Sequence, residues 1–164
     1  MNRTARLLAA VLLTVAVASC HHLDDDRIPP APVLIQFNSV ADWDAYGVPG
    51  AMSWQRFIKS ERVPRDFPFT AMSATGFGGV LLCGDVNGAP VAYDLSCPVE
   101  CRSDVRVYID EEALVAECPK CHSTYDVFSL WGHPLSGEAA SRGYGLRRYN
   151  VRAGSQNEYR VITY

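Results

Sequence analysis

Four cysteines in the second half of the chain stand in two close pairs, Cys97 with Cys101 and Cys118 with Cys121. Two short loops that each deliver two thiolates can close around one soft metal ion or one iron–sulfur cluster. The spacing C-x3-C followed by C-x2-C is uncommon by chance. The second pair opens the run Cys118-Pro119-Lys120-Cys121-His122-Ser123-Thr124-Tyr125-Asp126. His122 is the reserve ligand for a site that Cys101 does not join. Three chemistries stay open for these cysteines. One is a four-thiolate site, which [2Fe–2S], a single iron or zinc would all suit. Another is disulfide bonding, with three possible connectivities. The third is a set of free thiols. The sequence carries no Ser/His/Asp nucleophile pattern, no phosphate-binding glycine loop and no acid pair at catalytic spacing, so no catalytic residue is assigned.

The amino terminus sets the compartment in which this chemistry is expected. Arg3 and Arg6 precede an apolar stretch from Leu7 to Ala18 that is too short for a mature membrane span and reads as a signal-peptide core. It ends in Val17-Ala18-Ser19-Cys20, which looks like a bacterial lipobox, with cleavage leaving Cys20 as the lipidated first residue. Residues 1–19 are therefore expected to be the signal peptide. The protein is expected in the bacterial cell envelope, lipid-anchored through Cys20 on the outer membrane, at its periplasmic or surface face. That compartment favours disulfides and, on a Sec-type route, loading of zinc more readily than of a cluster. Loss of Arg3 and Arg6 leaves 13 basic residues against 18 acidic ones, a net charge of −5. That balance argues against a nucleic-acid partner, which needs basic patches. The expected partners are the bilayer and a redox or protein partner of unknown identity.

These loops need elements to hold them. Residues 20–32 read as a tether, with Asp24, Asp25 and Asp26 followed by Pro29, Pro30 and Pro32. Residues 33–164 suit one domain. Short apolar runs predict strands at 33–37, 67–70, 79–83, 91–95, 105–109, 113–117, 124–128, 146–151 and 159–163, with one short helix at about 53–59. The Asn87-Gly88 step predicts a tight hairpin. This is the pattern of an all-β protein, an antiparallel sandwich or small barrel. Cys83, within Val80-Leu81-Leu82-Cys83, reads as core, and Trp43, Trp54 and Trp131 read as core or loop-packing residues.

Residues 79 to 151 resemble the Rieske family of iron–sulfur domains. The resemblance rests on Ala92-Tyr93-Asp94-Leu95-Ser96-Cys97-Pro98, on the Cys118–Asp126 run, on Gly132-His133-Pro134-Leu135-Ser136-Gly137-Glu138-Ala139 and on Gly145-Leu146-Arg147-Arg148-Tyr149-Asn150-Val151. It implies a Rieske-like antiparallel sandwich with a small two-loop metal subdomain of rubredoxin or zinc-ribbon type, a [2Fe–2S] cluster and a role in electron transfer. Family members take one Cys and one His from each loop. Here Val99 and Cys121 stand where the histidines belong and His122 where glycine is usual, so the set implied is Cys97, Cys101, Cys118 and Cys121. The alternative function is a structural or binding module whose loops are held by zinc or disulfides.

Overall fold

The computed structural model describes residues 23–154 and 158–163; the expected signal peptide and the lipidation expected at Cys20 lie outside them. Strand accounts for 35% and helix for 12%, so the architecture is all-β. The larger sheet has seven antiparallel strands in the order β2-β4-β5-β10-β11-β1-β3. In chain order these are β1 (Val33–Phe37), β2 (Trp54–Phe57), β3 (Ala74–Thr75), β4 (Val80–Gly84), β5 (Pro90–Asp94), β10 (Arg148–Ala153) and β11 (Tyr159–Ile162). It curls until it is nearly closed. Just past β2, the Lys59 amide donates to Thr75 Oγ1 of β3 (3.4 Å), and Lys59 Nζ donates to Ser73 O (2.6 Å). The smaller sheet has four antiparallel strands, β6 (Tyr108–Asp110), β7 (Val115–Glu117), β8 (Thr124–Asp126) and β9 (His133–Pro134).

Strand β4 shows why the two sheets pack. All five of its residues are buried, because each of its faces meets a different core. Val80 and Leu82 point into the curled sheet beside Phe37, Phe57 and Phe67, whose rings meet edge-on. Leu81 and Cys83 point the other way, toward Ala116, Cys118, Tyr125 and Val127 of the small sheet and its loops. A continuous apolar run is what a strand covered on both faces requires. Each such aliphatic side chain, fully buried, contributes about 1.5–3 kcal/mol. By contrast β1, covered on one face, alternates strictly, with Val33, Ile35 and Phe37 inward. The β4–β5 hairpin turns at Asp85–Ala89. Asp85 Oδ1 accepts from the Asn87 and Ala89 amides (both 2.8 Å), and Gly88 takes the left-handed φ of 81° that such a turn favours.

Two local expectations are corrected. Residues 54–57, within the expected helix, form β2 and pair with Val80–Cys83; a short three-residue helical turn follows at 59–61. The helix lies earlier, as α1 (Val40–Tyr46), where Ser39 Oγ accepts from the Asp42 amide at 3.0 Å as an N-cap. Residues 67–70 are not a strand, although Phe67 is buried at the centre of the aromatic cluster. Trp131 is 57% exposed on its loop, while Trp43 stacks on Tyr159 with centroids 3.9 Å apart. Cys83 is fully buried as expected.

Part of the segment taken as a tether lies against the body as a strap. The Asp24 amide donates to Gly143 O (2.8 Å), and the Gly145 amide donates to Asp24 O (2.9 Å). Ile28 is completely buried. Asp25 and Asp26 meet Arg148 (3.3 Å) and Arg147 (2.9 Å), so both arginines of β10 and its approach are occupied by the strap. Exposed ion pairs contribute little; the buried Ile28 carries most of the attachment. Among the described residues no helix is long and apolar enough to cross a membrane.

Candidate metal centre

Both cysteine loops spring from strands that meet the small sheet. The first leaves β5 at Asp94 and returns through the Ser96–Arg106 bridge. The second is the tight β7–β8 connection, closed by the Cys118 amide donating to Ser123 O (3.0 Å). Asp94 fixes the start of the first loop. Its carboxylate is wholly buried and accepts from the amides of Phe77 (2.9 Å), Gly78 (3.1 Å) and Ser96 (2.8 Å) and from the Tyr149 hydroxyl (2.5 Å). Position 78 must be glycine for this approach, since a Cβ there would lie 2.0 Å from Ser96 Oγ. Arg106 Nε donates to Gly78 O and its guanidinium pairs with Glu61 at 2.6 Å, which ties the returning arm to the same corner.

Three of the four predicted sulfurs converge. Those of Cys97, Cys118 and Cys121 all lie within 4.8 Å of one another, with Cys97 and Cys118 fully buried and Cys121 partly so. Cys97 Sγ and Cys121 Sγ are 3.5 Å apart, a non-bonded contact. The Tyr125 hydroxyl sits 3.5 Å from Cys97 Sγ. Burial pushes the Cys97 thiol up to about 12, although the amides of Glu100 and Val99 and the Tyr125 hydroxyl pull the other way. Cys118 is raised for the same main reason, burial, opposed by the amides of Cys121 and Lys120. Burial also opposes ionisation of Cys121, but hydrogen bonding with Ser123, Cys97 and Cys118 outweighs it and its pKa falls below the ordinary thiol value.

Cys101 and His122 are not in this group. Cys101 donates through its thiol to Pro98 O (3.1 Å) and receives the Arg27 guanidinium (3.7 Å). His122 is turned outward, its side chain 74% exposed and its Nδ1 3.0 Å from Glu117 Oε1. Their placement has one physical cause. In each loop an i→i+4 turn closes on the first cysteine, Cys101 N to Cys97 O (2.9 Å) and His122 N to Cys118 O (3.0 Å). The fifth residue of each turn is left-handed, with φ of 50° at Cys101 and 54° at His122. In the second loop the residue brought to the site is therefore the fourth, Cys121; the fourth residue of the first loop is Glu100. The C-x3-C spacing hides this; the Cys-Pro that opens both loops would have aligned them.

Three supporting residues carried no signal as isolated letters. Ser123, fully buried, accepts from the Ala139 amide (3.1 Å) at the start of α2 (Gly137–Arg142) while serving Cys121. Tyr125 points inward from β8, between two half-exposed neighbours. Asp94 ends β5 as described.

The donor set discriminates among candidate groups. Among the described residues no imidazole belongs to the cluster, so a centre with two histidine ligands from them does not fit. Four thiolates shared between two irons do not fit either, since Cys101 faces Arg27. Three thiolates around one ion do fit: a metal–sulfur bond of about 2.3 Å in a tetrahedron places sulfurs about 3.8 Å apart, close to the Cys97–Cys121 separation. No protein-family model, curated protein or solved structure matches the chain.

Proposed function

We propose that this protein is an exported, lipid-anchored β-domain whose two loops are organised around one thiophilic metal ion bound by Cys97, Cys118 and Cys121. The convergence of these three sulfurs carries the reading. Iron in the site would supply one-electron redox chemistry; zinc would serve as a structural staple. The resemblance of residues 79–151 to Rieske domains supports the redox role, and the lipobox-like Val17–Cys20 supports the anchor. The chain's own contribution is to bury the thiolates, to orient Cys97 with the Tyr125 hydroxyl and to hold Cys121 with Ser123. A second reading, a Cys97–Cys121 disulfide stapling the loops, is favoured by their 3.5 Å contact and by the oxidising compartment expected.

Metal analysis, a visible spectrum and thiol counting on natively purified protein separate these readings. One equivalent of iron with visible thiolate-to-iron absorption supports the carrier, and one equivalent of colourless zinc supports the staple. Metal-free protein with a quantitative Cys97–Cys121 disulfide refutes the metal site.

A further inference from the structure

Three sulfurs leave one corner of a tetrahedral site unfilled, and the geometry points to Glu100 as the residue that fills it, making this a three-thiolate, one-carboxylate centre for a single borderline ion such as zinc. The inference rests on the metal reading above and deepens it.

The argument is the equivalence of the two loops. Cys97-Pro98-Val99-Glu100-Cys101 and Cys118-Pro119-Lys120-Cys121-His122 have the same turn closure and the same left-handed fifth residue. They also share the same pattern of amides directed at the leading sulfur: those of Val99 and Glu100 act on Cys97, and those of Lys120 and Cys121 on Cys118. Cys97 thus corresponds to Cys118, and Glu100 to Cys121. The side-chain environments follow the same division. At the fifth positions Cys101 and His122 are engaged away from the cluster. Glu100 is shielded rather than exposed: its side chain is only 14% exposed, and its carboxylate, outside the sulfur group as it stands, crosses to the facing loop to meet Lys120 Nζ. Lys120 is itself 56% exposed, so it can release the carboxylate at little cost. A glutamate side chain is longer than that of cysteine and must fold back to reach the ion. Carboxylate oxygen is an ordinary zinc donor at about 2.0–2.2 Å, whereas a two-iron cluster is held by thiolates and imidazoles. This donor set therefore selects against a cluster.

Cobalt(II) and zinc titrations of the full mature chain test the assignment, with Co(II) absorption reporting the ligands. In the wild type the bands expected are those of a tetrahedral site with three sulfurs. Glu100→Gln should weaken zinc binding more than about a hundredfold, beyond the roughly 10–100-fold that loss of a supporting contact costs, while Cys101→Ser leaves affinity and spectrum unchanged. Glu100→Cys should bind more tightly and gain sulfur-to-cobalt charge-transfer intensity by roughly a third, the step from three thiolates to four. That gain is readable even where Glu100→Gln folds poorly. Unchanged affinity in Glu100→Gln, or loss of binding in Cys101→Ser, would overturn the assignment while leaving the three-cysteine site standing. Failure of the wild type to take up either ion would instead refute the metal reading itself.

Discussion

Replacing Asp94 with asparagine should unfasten the corner from which the first cysteine loop springs. The carboxylate serves four donors, three backbone amides and the Tyr149 hydroxyl, all within 2.5–3.1 Å. Burial, reinforced by the Asp94 charge, pushes the Tyr149 phenol well above its ordinary range and keeps it a donor. Asparagine retains one oxygen, enough for Gly78 and Ser96. Its amide then confronts the Phe77 N–H, which loses its acceptor, while the Tyr149 hydroxyl turns to accept. One orphaned buried donor costs about 1–3 kcal/mol, and losing charge assistance in the remaining bonds adds about 1 kcal/mol. The expected loss is about 3 kcal/mol, or roughly 10 °C in Tm for a domain of this size. Urea denaturation of the metal-free protein, followed by circular dichroism, measures it without contribution from bound metal. A loss below about 1 kcal/mol would show that the network does not hold the corner, and the account of how Cys97 is positioned would fail with it.

Ile28→Ala should cost about 2–5 kcal/mol, the range for truncating a fully buried isoleucine, and should expose residues 23–28 to proteolysis; resistance equal to wild type would contradict the docked strap. Tyr125→Phe, which removes the hydroxyl beside Cys97 Sγ, should lower the potential of an iron-loaded site, because hydrogen bonds to a thiolate favour the reduced metal; voltammetry showing no change would remove Tyr125 from the site's electronics. Cys20→Ser should abolish lipid labelling and release the chain from the membrane fraction, and labelling that persists would refute the anchor.

Much of the fold could be read because it depends on patterns that repeat along the chain. The apolar run of β1 and the turn chemistry at Asn87-Gly88 appear directly in the residues. The helix expected at 53–59 failed because β2 has only four residues, three of them half-buried, and its identity comes from partners 26 or so positions later. The cysteine loops were visible, but not that Cys101 turns away from the other three sulfurs. Spacing tells which residues are near, whereas a left-handed φ of 50° tells which way a side chain turns, and residue type alone does not encode it. The strap escaped for a related reason: Asp25 and Asp26 are spacer residues until Arg147 and Arg148 are placed beside them.

On the proposed anchoring at Cys20, the strap would also fix how far the centre can stand from a membrane. Arg27 lies over the Tyr144 ring (4.3 Å) and reaches Pro98 O and Cys101 Sγ of the first loop. Only six residues lie between it and Cys20, and the seven steps of a fully extended chain cover about 25 Å. With Cys20 seated in the bilayer, the first cysteine loop is leashed to the headgroup region rather than swinging on the full segment to Pro32. A soluble protein approaching that loop would have to fit between domain and lipid, whereas a membrane-embedded protein beside the anchor would already be at the right height. Electron exchange or docking at this site would therefore be a lateral encounter in the plane of the membrane, governed by two-dimensional diffusion and surface density more than by concentration in the surrounding fluid.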